Sequence, residues 1–292
     1  MPTAPIPLFH LQSLVRAAIQ EDLSEGDITS AALIPDRFPA KALFIAQDPL
    51  TLAGLCVVQT LLQEIDPSLN MTTNFRDGQR IKASQTILTV RGPAQALLAA
   101  ERIALNFLQH LSGIATMTAK YCETIRGYPA KILDTRKTTP GLRHLQKWAV
   151  RLGGGHNHRF SLGDGILIKD NHLSLLSKKK IGITQACQLA REHGPHHMRI
   201  TVETESLAQV KEALKGQADI ILLDNMKPVM VRKAVELIKG RAIVEVSGGV
   251  TLTNVRDMAA AGAQYISIGA LTHSAPAVNI HMEFLRSSRS SL

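Results

Sequence analysis

The sequence has few cysteines and aromatic residues, and it lacks any long apolar run. Its three cysteines, Cys56, Cys122 and Cys187, are far apart and form no Cys-x-x-Cys motif, which argues against a disulfide framework or a zinc site. No stretch approaches the roughly 20 apolar residues of a membrane helix. Residues 1–11 also lack the basic and apolar regions of a secretory signal. We therefore expect a cytoplasmic globular protein.

The charge of the chain is unbalanced towards the basic side. Lysine and arginine number 33 against 24 acidic residues, which gives a formal net charge of +9. This excess is compatible with a nucleic-acid partner, with an anionic small substrate, or with solubility alone. Aromatic residues make up only 4% of the 292 residues, so little material is available for stacking bases, and this disfavours a single-stranded nucleic acid.

The first third of the chain mixes helices with strands. The apolar patterns predict, in chain order, a helix over 11–23, a strand over 42–46, a helix over 54–65, a strand over 80–90, and helices over 94–111 and 114–126. This order favours an α+β unit.

From about residue 130 the pattern alternates regularly between strand and helix. Apolar runs predict strands at 131–133, 165–168, 199–202, 220–223, 242–246 and 265–268, and helical patterns fall at 142–152, 184–192, 207–214, 229–238 and 252–261. The last four strands begin 21, 22 and 23 residues apart, which is typical of a parallel sheet with crossover helices. No Gly-x-Gly-x-x-Gly opens the first helix, so a (β/α) barrel is favoured over a doubly wound sheet.

Chemically distinctive residues follow every one of these strands. In a (β/α) barrel, the carboxyl ends of the strands carry the reactive groups. Cations follow the early strands, acids the middle strands and glycines the last two; these residues are Arg136, Lys137, Lys169, Glu203, Asp224, Ser247, Gly248, Gly249, Gly269 and Ala270. A loop at 156–159 adds His158 and Arg159. This arrangement predicts a highly anionic substrate together with Mg²⁺, which commonly binds one or two carboxylates and substrate phosphates.

Each feature also has a purely structural interpretation. Glu203 and Asp224 could be acids that stabilise helix N-termini, and residues 247–249 could form only a tight turn. The pair His156 and His158 resembles the His-x-His of metal-dependent hydrolases, but it follows a helix and glycines rather than a strand. The Ser- and Arg-rich segment after residue 285 is typical of a frayed terminus.

A series of motifs in a fixed order resembles one known family over residues 20–285. The motifs are EDLSEGDIT at 21–29, ERIALNFL at 101–108, DTRKTTPGLR at 134–143, GGGHNHR at 153–159, IKDNH at 168–172, VE at 202–203, LDN at 223–225 and EVSGG at 245–249. The family is nicotinate-nucleotide pyrophosphorylase (carboxylating), or quinolinate phosphoribosyltransferase. The resemblance implies that quinolinate and phosphoribosyl pyrophosphate give nicotinate mononucleotide, pyrophosphate and carbon dioxide, a step of NAD biosynthesis.

The resemblance also implies roles for individual residues. Arg136, His158, Arg159 and Lys169 would hold the diacid, with Arg102 supplied by a partner subunit. Lys137 would meet the phosphates of the donor, Glu203 and Asp224 its ribose or the Mg²⁺, and residues 247–249, 269 and 270 its 5-phosphate. Of these groups, Lys137, Lys169, Glu203 and Asp224 would be catalytic.

The implied architecture has two domains and a dimer. Residues 1–112, joined by 275–292, would form an α+β sandwich, and 113–274 an incomplete (β/α) barrel usually counted as seven strands. A homodimer would share its active sites. Two alternatives are a lyase with a Schiff base on Lys169 and a related enzyme associated with molybdenum transport operons. A third, a basic nucleic-acid binder, is disfavoured because cations alternate with acids at the strand ends rather than forming a stripe, so we expect neither a nucleic-acid nor a membrane partner.

Overall fold

The computed structural model of the chain describes residues 6–285. In chain order, the first elements are α1 (Leu8–Leu23), α2 (Ile28–Leu33), β1 (Pro39–Ala46), β2 (Leu50–Thr51), α3 (Leu55–Ile65), β3 (Asn70–Thr72), β4 (Arg80–Ile81), β5 (Thr86–Pro93) and α4 (Ala94–Thr124). They are followed by β6 (Lys131–Leu133), α5 (Arg143–Leu152), β7 (Ile166–Ile168), α6 (Asp170–Ser177), α7 (Ile183–His193), β8 (Ile200–Thr204), α8 (Leu207–Lys215), β9 (Ile220–Asp224), α9 (Pro228–Ile238), β10 (Ile243–Ser247), α10 (Val255–Ala260), β11 (Tyr265–Ser267), α11 (Ala270–His273) and β12 (Ile280–Phe284).

The chain divides into two compact units. Among the described residues, the first contains 6–117, 139–154 and 274–285, and the second contains 118–138 and 155–273. Residues 113–117 and residues 139–154, which carry α5, group with the first unit. The Ser- and Arg-rich end, predicted to be frayed, lies outside the described residues.

The first unit contains a four-stranded antiparallel sheet in the order β12-β1-β5-β3 and a two-stranded pair, β2-β4. Because β12 pairs with β1, with Ala42 opposite Phe284, the C-terminal segment returns to the sheet of the N-terminal part. Helix α1 packs against α3, whose apolar face is fully buried, with Val57, Val58 and Leu61 at 0% exposure.

A single long helix replaces the two predicted at 94–111 and 114–126. Gly113 lies inside α4, and a Cβ at this position would lie only 2.2 Å from the carbonyl oxygen of Pro276. The glycine therefore permits a close backbone approach and does not end the helix.

The second unit is built on the six parallel strands that the sequence predicts. Their order is β6-β11-β10-β9-β8-β7, and β6 and β7 form the two edges. A single parallel bridge joins Leu133 of β6 to His156, so the 153–159 loop supplies a one-residue extension beyond β6. The expectation of an incomplete (β/α) barrel is confirmed, with six strands and this bridge in place of seven strands among residues 6–285. No helix within that range is long and apolar enough to cross a membrane.

Candidate active site

A cavity of about 610 Å³ lies at the carboxyl ends of the strands in the second unit. Alternate residues of a strand point to the same face, and β7, β8, β9, β10 and β11 each contribute one or two side chains to the cavity. On β10, for example, Glu245 and Ser247 line it, whereas Val244 and Val246 are buried in the apolar core.

The structure brings together every predicted site residue except Arg102. The shared cavity is lined by Arg136, Lys137, His158, Arg159, Lys169, Glu203, Asp224, Ser247, Gly248, Gly249, Gly269 and Ala270. Arg102 lies on α4 in the first unit and is exposed, and its predicted role in a partner's site stays a prediction.

Acids and a lysine face one another at the ends of β7, β8 and β9. The Nζ atom of Lys169 lies 3.5 Å from Oε2 of Glu203, whose side chain is 14% exposed. Partial burial raises the pKa of Glu203, Lys169 opposes that rise, and the nearby carboxylate of Asp224 adds to it. Glu203 is thus an acid whose charge depends on a neighbouring cation.

Two arginines present hydrogen-bond donors that the protein itself does not satisfy. Within residues 6–285, the buried Nε atoms of Arg136 and Arg159 have no hydrogen-bond partner, although Nη1 of Arg159 donates to the carbonyl oxygen of Gly165 at 2.7 Å. Burial and the neighbouring Arg136 lower the pKa of Arg159. Buried donors are normally satisfied, so these two groups indicate a site for an anionic ligand.

The loop that carries His158 and Arg159 is anchored by a buried carboxylate. Asp134 follows β6, is 0% exposed, and accepts hydrogen bonds from the backbone N–H of His158 at 2.9 Å and from Nδ2 of Asn157 at 2.5 Å. Sequence reasoning assigned no role to Asp134, although an acid directly after a buried strand was a visible signal. Its carboxylate fixes the loop that carries two of the cavity's cationic side chains.

Sequence reasoning also missed the polar side chains deepest in the cavity. Glu245 and Ser267 lie within runs that we interpreted as apolar strands, and the structure places both on the cavity wall. Glu245 is 2% exposed, and burial raises its pKa to about 7. His273, on the short α11, also lines the cavity. Its only sequence signal was its position shortly after the last strand.

The turn after β10 is shaped by two glycines. Gly248 and Gly249 have φ angles of +83° and +60°, and a Cβ on Gly248 would lie 2.3 Å from Oδ1 of Asn225. A larger residue at 248 would be strained by this φ angle and would force Asn225 or the turn to move. Such turns present successive backbone N–H groups that suit a phosphate.

The donor set in the cavity fits a magnesium ion that binds together with a substrate. Glu203 and Asp224 are close enough for one carboxylate to raise the pKa of the other, and both line the cavity. No group of three or more ligating side chains occurs among the described residues. Mg²⁺ is commonly bound by only one or two protein carboxylates, and water and substrate oxygens complete its coordination, so this pair of carboxylates is sufficient.

Comparisons with known proteins agree with this geometry. Residues 27–112 match the family model described as quinolinate phosphoribosyl transferase, N-terminal domain, and residues 114–283 match the C-terminal domain of the same family. A probable nicotinate-nucleotide pyrophosphorylase [carboxylating] of Bacillus subtilis is 39% identical over 96% of this chain and 95% of its own length. A quinolinate phosphoribosyltransferase [decarboxylating] of Nicotiana tabacum is 38% identical over 95% and 83% of the two chains. The structure of the nicotinate-nucleotide pyrophosphorylase from Francisella tularensis is similar with a TM-score of 0.89, at 34% identity over 96% of this chain and 98% of that one.

Proposed function

The chain belongs to the quinolinate phosphoribosyltransferase family, and from this membership we propose that it transfers a phosphoribosyl group to quinolinate with loss of carbon dioxide. The products are nicotinate mononucleotide and pyrophosphate, which places the enzyme in NAD biosynthesis. The structural observation that carries this proposal is a pair of cavity-lining arginines, Arg136 and Arg159, whose buried Nε donors lack a hydrogen-bond partner within residues 6–285.

Quinolinate carries two adjacent carboxylates, so it requires several cations in a small volume. A guanidinium can bind a carboxylate through two parallel hydrogen bonds, which fixes the plane of the acid as well as its charge. Arg136, Arg159 and Lys169 line the same cavity as His158. We assign these four side chains to the diacid.

The other wall of the cavity suits phosphoribosyl pyrophosphate. The turn at 247–249 and residues 269–270 offer backbone N–H groups to the 5-phosphate, and Lys137 offers a cation to the pyrophosphate. Thr272 supports Lys137, because its hydroxyl donates to the carbonyl oxygen of Lys137 at 2.7 Å. Glu203 and Asp224 would hold the ribose hydroxyls or a Mg²⁺ ion, which when bound neutralises charge that develops on the pyrophosphate.

The reaction then requires no protein nucleophile. The ring nitrogen of quinolinate attacks C1 of the ribose, and the bond from C1 to the pyrophosphate oxygen breaks. The ring becomes a pyridinium, which accepts the electron pair of the carbon–carboxylate bond as carbon dioxide leaves, and a solvent proton then replaces it on that carbon. Lys137 and Lys169 stabilise anionic charge, and most of the acceleration comes from positioning and electrostatics.

We propose further that the enzyme is a cytoplasmic homodimer with shared sites. Arg102 is exposed on α4 and would complete the diacid site of the partner subunit. The three cysteines are free thiols, and burial raises the pKa of Cys187 to about 11, which suits a reducing compartment.

The test is release of carbon dioxide from carboxyl-labelled quinolinate, with and without phosphoribosyl pyrophosphate and Mg²⁺. We expect release that depends strictly on the donor, together with equimolar nicotinate mononucleotide and pyrophosphate. Absence of turnover under these conditions would contradict the proposal. Borohydride trapping of a substrate on Lys169, without any need for the donor, would instead indicate a Schiff-base lyase.

A further inference from the structure

Glu245 is a buried acid in the wall of the cavity, and neither proposed substrate requires it as a ligand. It occupies the middle of β10, between Leu222 of β9 and Tyr265 of β11 in the sheet register. It lines both the main cavity and a second cavity of about 450 Å³ in the same unit. Burying a carboxylate is costly unless hydrogen bonds compensate, so its contacts indicate its purpose.

Glu245 is held by a neighbouring strand and faces the diacid site. The hydroxyl of Ser267, on β11, donates to Oε1 of Glu245. The same oxygen lies 3.4 Å from Nε2 of His158, whose side chain is 16% exposed. Ser267 therefore fixes a carboxylate oxygen directly opposite one nitrogen of the imidazole.

The other nitrogen of His158 is also in use. The backbone N–H of Arg159 donates to Nδ1 of His158 at 2.8 Å, so Nδ1 is the unprotonated nitrogen that accepts this hydrogen bond. In the neutral imidazole, Nε2 then carries the proton and presents it to Glu245. The imidazole thus links the carboxylate of Glu245 to the backbone from which the Arg159 side chain extends.

We propose that Glu245 is a positioning residue for quinolinate: with Ser267, it holds His158 in one tautomer and orientation, and His158 in turn fixes the backbone that presents the Arg159 guanidinium to the diacid. This inference rests on the proposed function. It assigns Glu245 no contact with either substrate. A chain of this kind acts as a second layer of contacts that keeps a charged ligand-binding group in place.

The decisive variant is Glu245→Gln, which keeps the shape of the side chain and removes its charge. Ser267→Ala removes the donor that fixes the carboxylate, and Glu205→Gln, at an exposed position of the same unit, is the matched control. Each variant is assayed by steady-state kinetics with quinolinate varied and then with phosphoribosyl pyrophosphate varied. In parallel, the ring ¹⁵N signals of ¹⁵N-histidine-labelled protein without ligands are recorded, with the His158 signal assigned by its loss in His158→Gln.

We expect Glu245→Gln to lower kcat/KM for quinolinate by about tenfold or more and to leave kcat/KM for the donor within about twofold. Ser267→Ala should give a smaller loss of the same kind. The His158 ring signals of the wild type should be those of a proton on Nε2, and the Nε2 signal should shift in Glu245→Gln, because the acceptor opposite Nε2 changes from a carboxylate to an amide oxygen. Glu205→Gln should match the wild type in both measurements.

Three outcomes would overturn the inference. The first is quinolinate kinetics in Glu245→Gln that match the wild type. The second is an equal loss for both substrates with unchanged His158 signals, which would indicate only a structural role. The third is a wild-type His158 with its proton on Nδ1. The NMR measurement needs no turnover, so it stays informative even if the wild type fails to release carbon dioxide from quinolinate, which is the separate failure of the proposed function.

Discussion

Lys169 directly follows β7 and Glu203 lies on the neighbouring strand β8, so that the ammonium nitrogen of Lys169 lies 3.5 Å from a carboxylate oxygen of Glu203. The pair joins the two halves of the cavity, because we assign Lys169 to the diacid and Glu203 to the sugar or metal. Partial burial and Asp224 raise the pKa of Glu203, and Lys169 counteracts both. The cation that serves one substrate thus favours the charged form of the acid that serves the other.

This pairing predicts a pH effect in Lys169→Gln. Without the ammonium group, the pKa of Glu203 rises further, so the carboxylate that we expect to contact the donor or Mg²⁺ forms only at higher pH. The affinity for phosphoribosyl pyrophosphate, measured by calorimetry in the presence of Mg²⁺, should fall as the pH is lowered, and in Lys169→Gln this fall should begin at a higher pH than in the wild type. Lys178→Gln, a change in an exposed lysine run, should leave the pH dependence of this affinity unchanged. The same pH dependence in Lys169→Gln and the wild type would show that Lys169 does not influence the pKa of Glu203.

Arg136→Met tests the two arginines whose buried Nε donors have no hydrogen-bond partner among residues 6–285. The change removes a cation that lowers the pKa of Arg159 and a buried Nε donor without a partner in the described part of the chain. We expect the free protein to become more stable, with a Tm higher by about 2 °C, because sites built for charged ligands are destabilised when empty. At the same time kcat/KM for quinolinate should fall about 100-fold, with a much smaller change for the donor.

The matched control for this variant is Arg232→Met, on the exposed side of α9. It should change neither the Tm nor the kinetics. Equal losses for the two substrates in Arg136→Met would argue against our assignment of Arg136, and a lower Tm would show that the arginine stabilises the free protein.

Gly248→Ala tests the turn assigned to the 5-phosphate. The added Cβ would meet Oδ1 of Asn225 at 2.3 Å on a backbone with φ of +83°, so the turn must move. Loss of one or two backbone donors to a phosphate should lower kcat/KM for the donor by about 10- to 100-fold. Gly240→Ala is the matched control, because its φ of +74° imposes similar strain while nothing lies within 4 Å of the added Cβ. If the two variants lose donor use equally, the contact with Asn225 is not what shapes the site.

Features that leave a local pattern in the sequence were predicted, whereas features that depend on contacts between distant residues were not. The six strands of the second unit were predicted because buried parallel strands form apolar runs, and their end residues were predicted because parallel strands end on one side of a sheet. Glu245 was missed because a single acid inside an apolar run does not change the strand prediction. Its role becomes visible only through the hydrogen bond from Ser267, which is distant in the chain. The two helices predicted over 94–111 and 114–126 form one helix through Gly113, because the close approach of Pro276 to this glycine depends on the fold and leaves no local pattern in the sequence.

Complementation tests the shared site of the proposed dimer. Arg102→Ala and Lys169→Ala each remove one group that we assign to the diacid, so each homodimer should be inactive. In a mixed dimer, one of the two sites would combine a wild-type Arg102 with a wild-type Lys169. Mixed subunits should therefore recover up to about a quarter of the wild-type activity, because half of the dimers are mixed and each has one intact site. No recovery, once subunit exchange is demonstrated by mass spectrometry, would contradict a shared site.

The raised pKa of Glu245 predicts how stability depends on pH. Burial moves this pKa from an ordinary value of 4.5 to about 7, so the folded protein binds the proton more tightly than the unfolded chain. The stability contributed by this protonated acid is complete below pH 4.5 and is lost as the pH rises through 7, by on the order of 3 kcal/mol at most. Many other charged groups line the two cavities around it, so a direct comparison of variants is required; those groups are Arg136, Lys137, Arg159, Asp164, Lys169, Arg199, Glu203 and Asp224.

Glu245→Gln should therefore lose less stability than the wild type between pH 5 and pH 8, as measured by urea unfolding at both values. The amide cannot ionise, whereas the wild-type carboxylate must either keep its proton or carry a charge at 2% exposure. Glu205→Gln, at an exposed position, should follow the wild type at both pH values. Parallel pH dependences in the wild type and Glu245→Gln would mean that the carboxylate is already ionised at pH 5, and that Ser267 and His158 compensate fully for its burial.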